Sequence, residues 1–175
     1  MKNNMETARN LCLNESFSDL LESNLYNNEM IGIISIYSVV SKFSSMSCSK
    51  ALLVLPFATH NKLISYLNDS RTIVKGLDQL IIKKPEFFSN FNQRFYSLIE
   101  LSVNSILILI KLELLYIDED GELKAKKQNE QMLFKDYKLN TLGVRANKII
   151  QSSSSISGLL SSDIQNLYLQ LRVKL

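Results

Sequence analysis

The chain has 175 residues, of which 46% are hydrophobic and 21% are charged, so it is long and apolar enough for a folded core and is not a disordered protein. The net charge of +3 permits contact with nucleic acid without requiring it. Five glycines and two prolines leave few breaks, which favours long helices over a many-stranded barrel.

Sequence features of secretion or membrane insertion are weak. Cys12 and Cys48 allow at most one disulfide, and the polar N-terminal residues contain no apolar run of the signal-peptide kind. The longest apolar stretch, Val103–Leu115, is interrupted by four polar residues and is shorter than the roughly 20 residues that cross a bilayer. We therefore expect a cytoplasmic protein without a membrane partner, built as a single domain over residues 1–175.

The first part of the chain predicts one short helix, one buried helix and a loop. Residues 1–15 form a polar lead-in, and Ser16 is a good N-cap for a short helix. Residues 29–43 carry apolar side chains on nearly every side, which is typical of a helix buried on most faces. A strand is the alternative because many of these residues are β-branched, but the length favours a helix. The small polar residues Ser44–Ser49 predict a loop.

Helical patterns continue through the middle of the chain. Lys50–Leu55 predicts a helix that stops near Pro56, since proline lacks an N–H and restricts the residue before it. A short helix then opens around His60, and residues 71–83 predict another. His60 is the only histidine, so without partner ligands we interpret it as a surface or capping residue rather than a metal ligand.

An aromatic-rich stretch precedes the longest helix. Four phenylalanines between residues 87 and 95 recur at helical spacing. We favour core packing for them because aromatic side chains bury large areas, and a base-stacking platform is the alternative. Leu98–Leu112 then predicts the most apolar helix, in which the small Ser105 would let a neighbouring helix approach closely.

Residues 114–127, LLYIDEDGELKAKK, predict a β-hairpin. Gly121 can adopt the positive φ that such turns need. A two-residue loop would place Glu119 opposite Glu122, and like charges in that position are destabilising. We therefore prefer a four-residue connection, Asp118–Gly121. The side chains on the inner face would then be Leu115, Ile117, Leu123 and Ala125.

The C-terminal part predicts two helices separated by serines. The first runs roughly over Lys138–Gln151, and Asp163 with the two serines before it caps the second. The run Ser152–Ser155 predicts a flexible linker, within a Ser-rich loop over residues 152–162. The whole chain thus predicts a mostly α (α+β) fold, a compact helical domain with one β-hairpin that is winged-helix-like.

We find no motif for catalysis, for a cofactor or for a metal. One histidine and two distant cysteines do not supply a metal site or an activated nucleophile. Asp118, Glu119 and Asp120 lie in a tight turn that should keep them in water, and their spacing is not that of a calcium loop. Gly-rich phosphate-binding patterns are missing from the sequence. We expect no enzymatic activity.

Cations near the hairpin are the remaining candidates for function. In winged helices such side chains can contact DNA phosphates. The alternative is a solvated hairpin edge, where lysine discourages strand-to-strand aggregation. The candidate phosphate contacts are Lys124, Lys126, Lys127, Arg145 and Lys148.

Six segments in a fixed order carry a family resemblance. They are NNEMIGIISIYSVVSKF at 27–43, ALLVLPFATHNKL at 51–63, PEFFSNFNQRFYSLIELSVNSILILIKLELLYI at 85–117, DEDGELK at 118–124, NTLGVRANKII at 140–150 and LYLQLRVKL at 167–175. Through their order and spacing the chain resembles the middle components of three-component ABC systems (ABC-3C), a group related to Lamassu-type antiphage defence.

That resemblance implies a non-catalytic accessory subunit between an SMC-like ABC ATPase and an effector, often a nuclease. The subunit would dock near the ATPase heads and help keep the effector inactive until foreign DNA is sensed. DNA contacts would be made within the complex, and no cofactor is implied. A winged-helix DNA-binding regulator is the alternative. If the adaptor interpretation is right, exposed apolar patches should exist where partners dock.

Overall fold

The computed structural model describes residues 27–126 and 143–174. These residues form a mostly helical α+β fold with a small antiparallel sheet, which confirms the predicted class. The elements in chain order are α1 (Asn27–Val40), β1 (Met46–Ser47), α2 (Cys48–Leu52), α3 (Val54–Ala58), α4 (Asn61–Leu67), α5 (Leu77–Lys83), a 3-10 helix (Pro85–Phe87), α6 (Phe91–Lys111), β2 (Leu115–Ile117), β3 (Glu122–Ala125), α7 (Gly143–Leu159) and α8 (Ile164–Gln170).

Several expectations fall outside the described residues. These are the lead-in over residues 1–15, the short helix capped by Ser16, the state of Cys12, and the first part (residues 138–142) of the helix predicted roughly over Lys138–Gln151. Within the described ranges the buried apolar side chains form one cluster. The single-domain expectation itself stays a prediction. No helix in these ranges combines the length and hydrophobicity that crossing a membrane requires.

Helix α1 lies at the centre of the packing, against both α6 and α7. Every side chain from Ile33 to Val40 is buried, which confirms the helix predicted over residues 29–43 as one that is covered on most faces. Two of these buried residues are serines, and both hydroxyls are satisfied. Ser35 Oγ donates to the Ile31 carbonyl at 2.6 Å, and Ser38 Oγ donates to the Ser35 carbonyl at 3.1 Å.

Helices α1 and α6 approach each other closely at Gly32 and Ser105. A Cβ added to Gly32 would overlap Ser105 Oγ and would lie 3.3 Å from Ser105 Cβ. A residue with no side chain is therefore needed at this crossing. The prediction that Ser105 lets a neighbouring helix come close is confirmed. Its partner in the contact, Gly32 on α1, was not predicted from the sequence.

The hairpin has the predicted connection but an inner face that is only partly buried. Its turn is Asp118–Gly121, and the glycine of that turn has φ of +79°. Leu115 pairs with Ala125, and Ile117 pairs with Leu123. Leu115 and Leu123 are buried, whereas Ile117 is 52% exposed, so the inner-face prediction is wrong at that position. Ile117 is the last strand residue before the turn.

A third strand lies where the sequence predicted a loop. Within Ser44–Ser49, strand β1 pairs Met46 with Leu123 on β3, giving the sheet order β1-β3-β2. The Met46 side chain is buried in the core. Two residues are too few for an alternating pattern, which is why the loop prediction was wrong here.

The helix stop predicted near Pro56 is wrong. Helix α3 runs over Val54–Ala58, and Pro56 is its third residue. The first N–H groups of a helix have no partner within it, so a missing N–H costs little there. Proline is tolerated at this point because a new helix has just begun at Val54.

The helix predicted over residues 71–83 exists only in its second half. Residues 71–76 are irregular, and α5 begins after Gly76, its N-cap. Three β-branched residues before that glycine weaken the helical tendency. Leu80 is buried on the predicted stripe, whereas Ile73 is 75% exposed.

The Ser-rich loop predicted over residues 152–162 is wrong up to residue 159, because α7 continues through Ser152–Ser155 to Leu159, and only residues 160–162 of that range lie between α7 and the start of α8. Ser152 and Ser153 are buried. Their hydroxyls donate to backbone carbonyls three residues earlier, at 3.0 and 2.7 Å. A serine that bonds in this way can be buried inside a helix, so a serine run alone does not indicate a linker.

The phenylalanines around the start of α6 pack in the core as predicted. Phe87, Phe91 and Phe95 are buried, and Phe88 is half-buried. Phe91 meets Phe57 edge to face with ring centroids 5.0 Å apart, a favoured aromatic geometry.

The last helix, α8, begins and is held as the sequence indicated. Asp163 Oδ2 accepts a hydrogen bond from the Gln165 N–H at 2.9 Å, which confirms the predicted cap. Tyr168 packs against Phe95, and its hydroxyl donates to the Ser49 carbonyl at 2.9 Å. These contacts join α8 to α6 and to the start of α2.

We predict that Gly32→Ala lowers the free energy of unfolding by about 1–3 kcal/mol, the usual range for overpacking a well-filled core. The new methyl group would force α1 and α6 apart at Ser105. Urea denaturation followed by circular dichroism measures this change. Adding Ser105→Ala should recover part of the loss, because it removes the overlapping hydroxyl, which has no hydrogen-bond partner within residues 27–126 and 143–174.

Gly158→Ala is the matched control for this prediction. Gly158 also lies in a helix, but an added Cβ there would meet nothing within 4 Å. Alanine should leave stability unchanged or raise it by up to about 1 kcal/mol. Equal losses in the two variants would contradict the close approach at Gly32.

Candidate functional site

The predicted phosphate contacts fall in two separate places. Lys124 on β3 and Lys126 just after it belong to the hairpin, whereas Arg145 and Lys148 lie in the first turns of α7. Lys127 lies outside the described residues. In the sequence these residues share a positive charge and lie close together along the chain, but in the structure the neighbours of the hairpin cations differ from those of the α7 cations.

Lys124 is engaged in the turn of the hairpin. Its Nζ lies 2.8 Å from Asp118 Oδ2, and Asp118 Oδ1 accepts from the backbone N–H groups of Asp120 at 3.0 Å and Glu122 at 2.9 Å. The ammonium, and then these N–H groups, hold the pKa of Asp118 below its ordinary value. The Asp118 side chain is only 14% exposed, so the expectation that all three turn acids lie in water is wrong for it.

Lys126 also has a carboxylate nearby, in a weaker arrangement. Its Nζ lies 3.5 Å from Glu113 Oε2, and both side chains are about half exposed. Glu113 follows the C-cap of α6 and has φ of +57°, a left-handed conformation that turns the chain toward β2. An exposed pair of this kind contributes little to stability. A phosphate at the hairpin would nonetheless compete with a carboxylate at each of the two lysines.

Arg145 and Lys148 line a groove of about 320 Å³ between α4 and α7, here termed the cationic groove. Both side chains are exposed, and neither takes part in the ion pairs formed among the described residues. Asn68 Nδ2 donates to the Lys148 carbonyl at 2.8 Å, which ties the end of α4 to α7. The other lining residues are Ala58, Asn61, Ile64, Ser65, Val144 and Ile149.

The cationic groove has the chemistry of an anion site. The Arg145 guanidinium and the Lys148 ammonium supply charge, while Asn61 and Ser65 supply an amide and a hydroxyl. Such a set is suited to the backbone phosphates of nucleic acid, which are contacted by charged and polar side chains without reference to sequence. No hairpin residue lines this groove.

A second groove, here termed the apolar groove, lies between α8 and the region of α5, the 3-10 helix and the start of α6. It holds about 530 Å³. Ile82 and Leu169, each next in sequence to a lining residue, are 81% and 75% exposed. Exposed apolar side chains beside a groove are typical of a protein contact. The lining residues are Ile81, Pro85, Phe88, Ser89, Asn92, Gln170, Leu171 and Arg172.

His60 caps α4, which confirms the capping interpretation. Its Nδ1 accepts from the Leu63 N–H at 3.1 Å, and its ring lies edge to face with Phe87 at 5.6 Å. Burial, with the nearby cations Arg94 and Lys62, lowers the pKa of His60. Across residues 27–126 and 143–174, no group of three or more His, Cys, Asp and Glu side chains could hold a metal ion.

The chain matches a known protein family over nearly its whole length. The matching family model is described as ABC-three component (ABC-3C) system Middle Component 3, and the match covers residues 11–175. No curated protein and no solved structure matches the chain. Without a solved relative to compare, the winged-helix part of the fold prediction stays a prediction.

We predict that Asp118→Asn lowers the stability of the hairpin at pH 7 and weakens its dependence on acid. Because the folded pKa of Asp118 is depressed, its contribution is present above the unfolded pKa of about 3.9 and is lost as pH falls through the folded value. Urea midpoints at pH 7 and pH 3 should therefore differ less in Asp118→Asn than in the wild type. Glu119→Gln, an exposed carboxyl in the same turn, is the matched control and should behave like the wild type.

Proposed function

The chain belongs to the middle component 3 family of ABC-three component systems, and from that premise we propose that it is a non-catalytic accessory subunit. In this proposal it links an SMC-like ABC ATPase to an effector, of the nuclease class, in antiphage defence. It helps keep the effector inactive until foreign DNA is sensed. The observation that carries the proposal is the family match over residues 11–175.

The surface of the protein is compatible with a linking role. An adaptor needs two docking faces, and the cationic and apolar grooves have no lining residue in common. They also differ in chemistry, since one presents Arg145 and Lys148 and the other presents Ile81 and Phe88. Two partners of different character could therefore bind without competing for the same side chains.

We predict that the tagged chain, co-expressed with an SMC-like ABC ATPase of the same ABC-3C system, elutes with that ATPase as one stable complex. Leu169→Asp, next to the apolar groove, should weaken the complex about tenfold because it places a charge in an apolar contact. Size-exclusion chromatography and titration calorimetry measure the two effects.

Ile117→Asp on the hairpin is the matched control, since Ile117 is also exposed but, unlike Leu169, is not next in sequence to a residue that lines the apolar groove. If no complex forms with the wild-type chain, the adaptor function is wrong. A complex that Leu169→Asp leaves unchanged keeps the adaptor function but removes the apolar groove from the ATPase contact.

A second candidate function, a winged-helix DNA-binding regulator, is favoured by the exposed charges of the cationic groove. Arg145 and Lys148 are free of ion pairs among the described residues, whereas Lys124 and Lys126 each have a carboxylate nearby. A phosphate could approach the groove without displacing an acid. DNA contact by these side chains is also compatible with the adaptor function if it occurs inside the complex.

We predict that Arg145→Glu and Lys148→Glu each reduce duplex DNA binding by roughly tenfold at 50 mM salt and lower the salt slope by about one, as the loss of a phosphate contact should. Lys124→Glu should have a smaller effect, because Asp118 already neutralises Lys124. Fluorescence anisotropy across 50–200 mM salt tests this. Lack of binding by the isolated chain at the lowest salt would reject the regulator and leave the adaptor standing.

A further inference from the structure

The outer face of α6 is unusually apolar for an exposed helix surface. Tyr96 is 49% exposed, Ile99 37%, Val103 42% and Leu107 58%. At about 100° per residue, these four side chains lie within roughly 80° of one another around the helix axis. They form a line along the side opposite the core, here termed the outer stripe. At its N-terminal end the Tyr96 hydroxyl donates to the Lys174 carbonyl, so Val103 and Leu107 are the members open to a partner.

The outer stripe has charges on one flank only. Glu100 and Lys111 are the two exposed charged residues of α6, and both lie on the same side of the stripe. Neither takes part in the ion pairs among the described residues. The opposite flank carries no charge: its edge is formed by Ile99 of the stripe and the half-buried Ile110, with Ile106 buried beneath them. Large apolar surfaces of this kind mark contact sites.

We propose that the outer stripe binds the same stripe of a second copy of this chain, with the two α6 helices antiparallel across a two-fold axis at the level of Ser105. In that arrangement Val103 of each copy packs against Leu107 of the other. An isologous contact requires a patch that is complementary to itself, and the spacing of Val103 and Leu107 about Ser105 meets this requirement.

The two charges select the antiparallel arrangement. By the helix rise of 1.5 Å per residue, Glu100 lies about 8 Å before the level of Ser105 and Lys111 lies about 9 Å after it. Antiparallel pairing therefore brings Glu100 of each copy to Lys111 of the other. In an antiparallel pair, side chains on the same flank of the two helices face each other, and Glu100 and Lys111 lie on the same flank. Parallel pairing would instead set the charged flank of each copy against the apolar flank of the other, so that neither charge would meet its opposite.

The four side chains of the outer stripe repeat at intervals of three and four residues, so they lie on one face of α6 and are open to a second helix along it. This self-association is independent of the role within an ABC-3C system.

Sedimentation velocity of the full chain between 1 and 200 µM tests the proposal. We expect a species of twice the 20.0 kDa chain mass that becomes dominant with concentration. Val103→Glu and Leu107→Glu should each return the chain to a monomer. Ile73→Glu, which alters an exposed isoleucine outside α6 and outside both grooves, is the matched control and should leave the mass unchanged. Circular dichroism verifies that each variant is folded.

Charge reversal tests the antiparallel arrangement separately. Glu100→Lys and Lys111→Glu should each weaken self-association roughly tenfold, because two attractive contacts become repulsive, and the double reversal should restore it. A monomer at 200 µM, or a dimer that Val103→Glu leaves intact, overturns the proposal. The proposal is also wrong if the wild-type chain is a monomer and Val103→Glu abolishes its binding to the ATPase, because the ATPase would then cover the outer stripe. It is wrong as well if the wild-type chain is a monomer and Val103→Glu lowers its stability, because a segment of the same chain would then cover the stripe.

Discussion

The contact between α1 and α6 at Gly32 and Ser105 places most of the other elements. Because α1 is buried along Ile33–Val40, its neighbours cannot shift without opening a cavity or exposing apolar surface. Helix α6 lies against one part of it and α7 against another. The end of α6 then delivers the chain to β2, so the sheet takes its position from the same helix crossing. Val103 lies about 160° around α6 from Ser105, which is why the outer stripe faces away from the core.

The parts of the fold that were predictable from sequence are those where one pattern repeats many times. Residues 29–43 and 98–112 are such segments, and the Asp-Gly turn identified the hairpin together with its connection. The failures involve residue types whose effect depends on position. Proline ends a helix in most settings, but Pro56 is harmless in a first turn. Ser152 and Ser153 can be buried because carbonyls within α7 accept hydrogen bonds from their hydroxyls.

Prediction of the candidate site from sequence was limited because the role of each cation also depends on its position in the fold. Sequence shows which residues are cationic, but whether a cation is neutralised depends on which carboxylate lies beside it. The hairpin register brings Lys124 to Asp118 and Lys126 to Glu113. The pairing of Lys124 with Asp118 follows from the predicted hairpin, because a four-residue turn places Asp118 against the strand that carries Lys124. The cationic groove depends on the packing of α4 against α7, which no local pattern indicates.

Strand β1 closes the sheet across a long stretch of chain, and this bears on the order of folding. Met46 pairs with Leu123 on β3, although about 77 positions separate them. The β2–β3 hairpin is local and can form within microseconds, yet a two-stranded hairpin alone is marginally stable in water. Its third strand can join only after α1 and α6 have closed the intervening loop. The last step of folding should thus be the addition of β1, so that protection of the β3 amides from hydrogen exchange would report a fully assembled helical core.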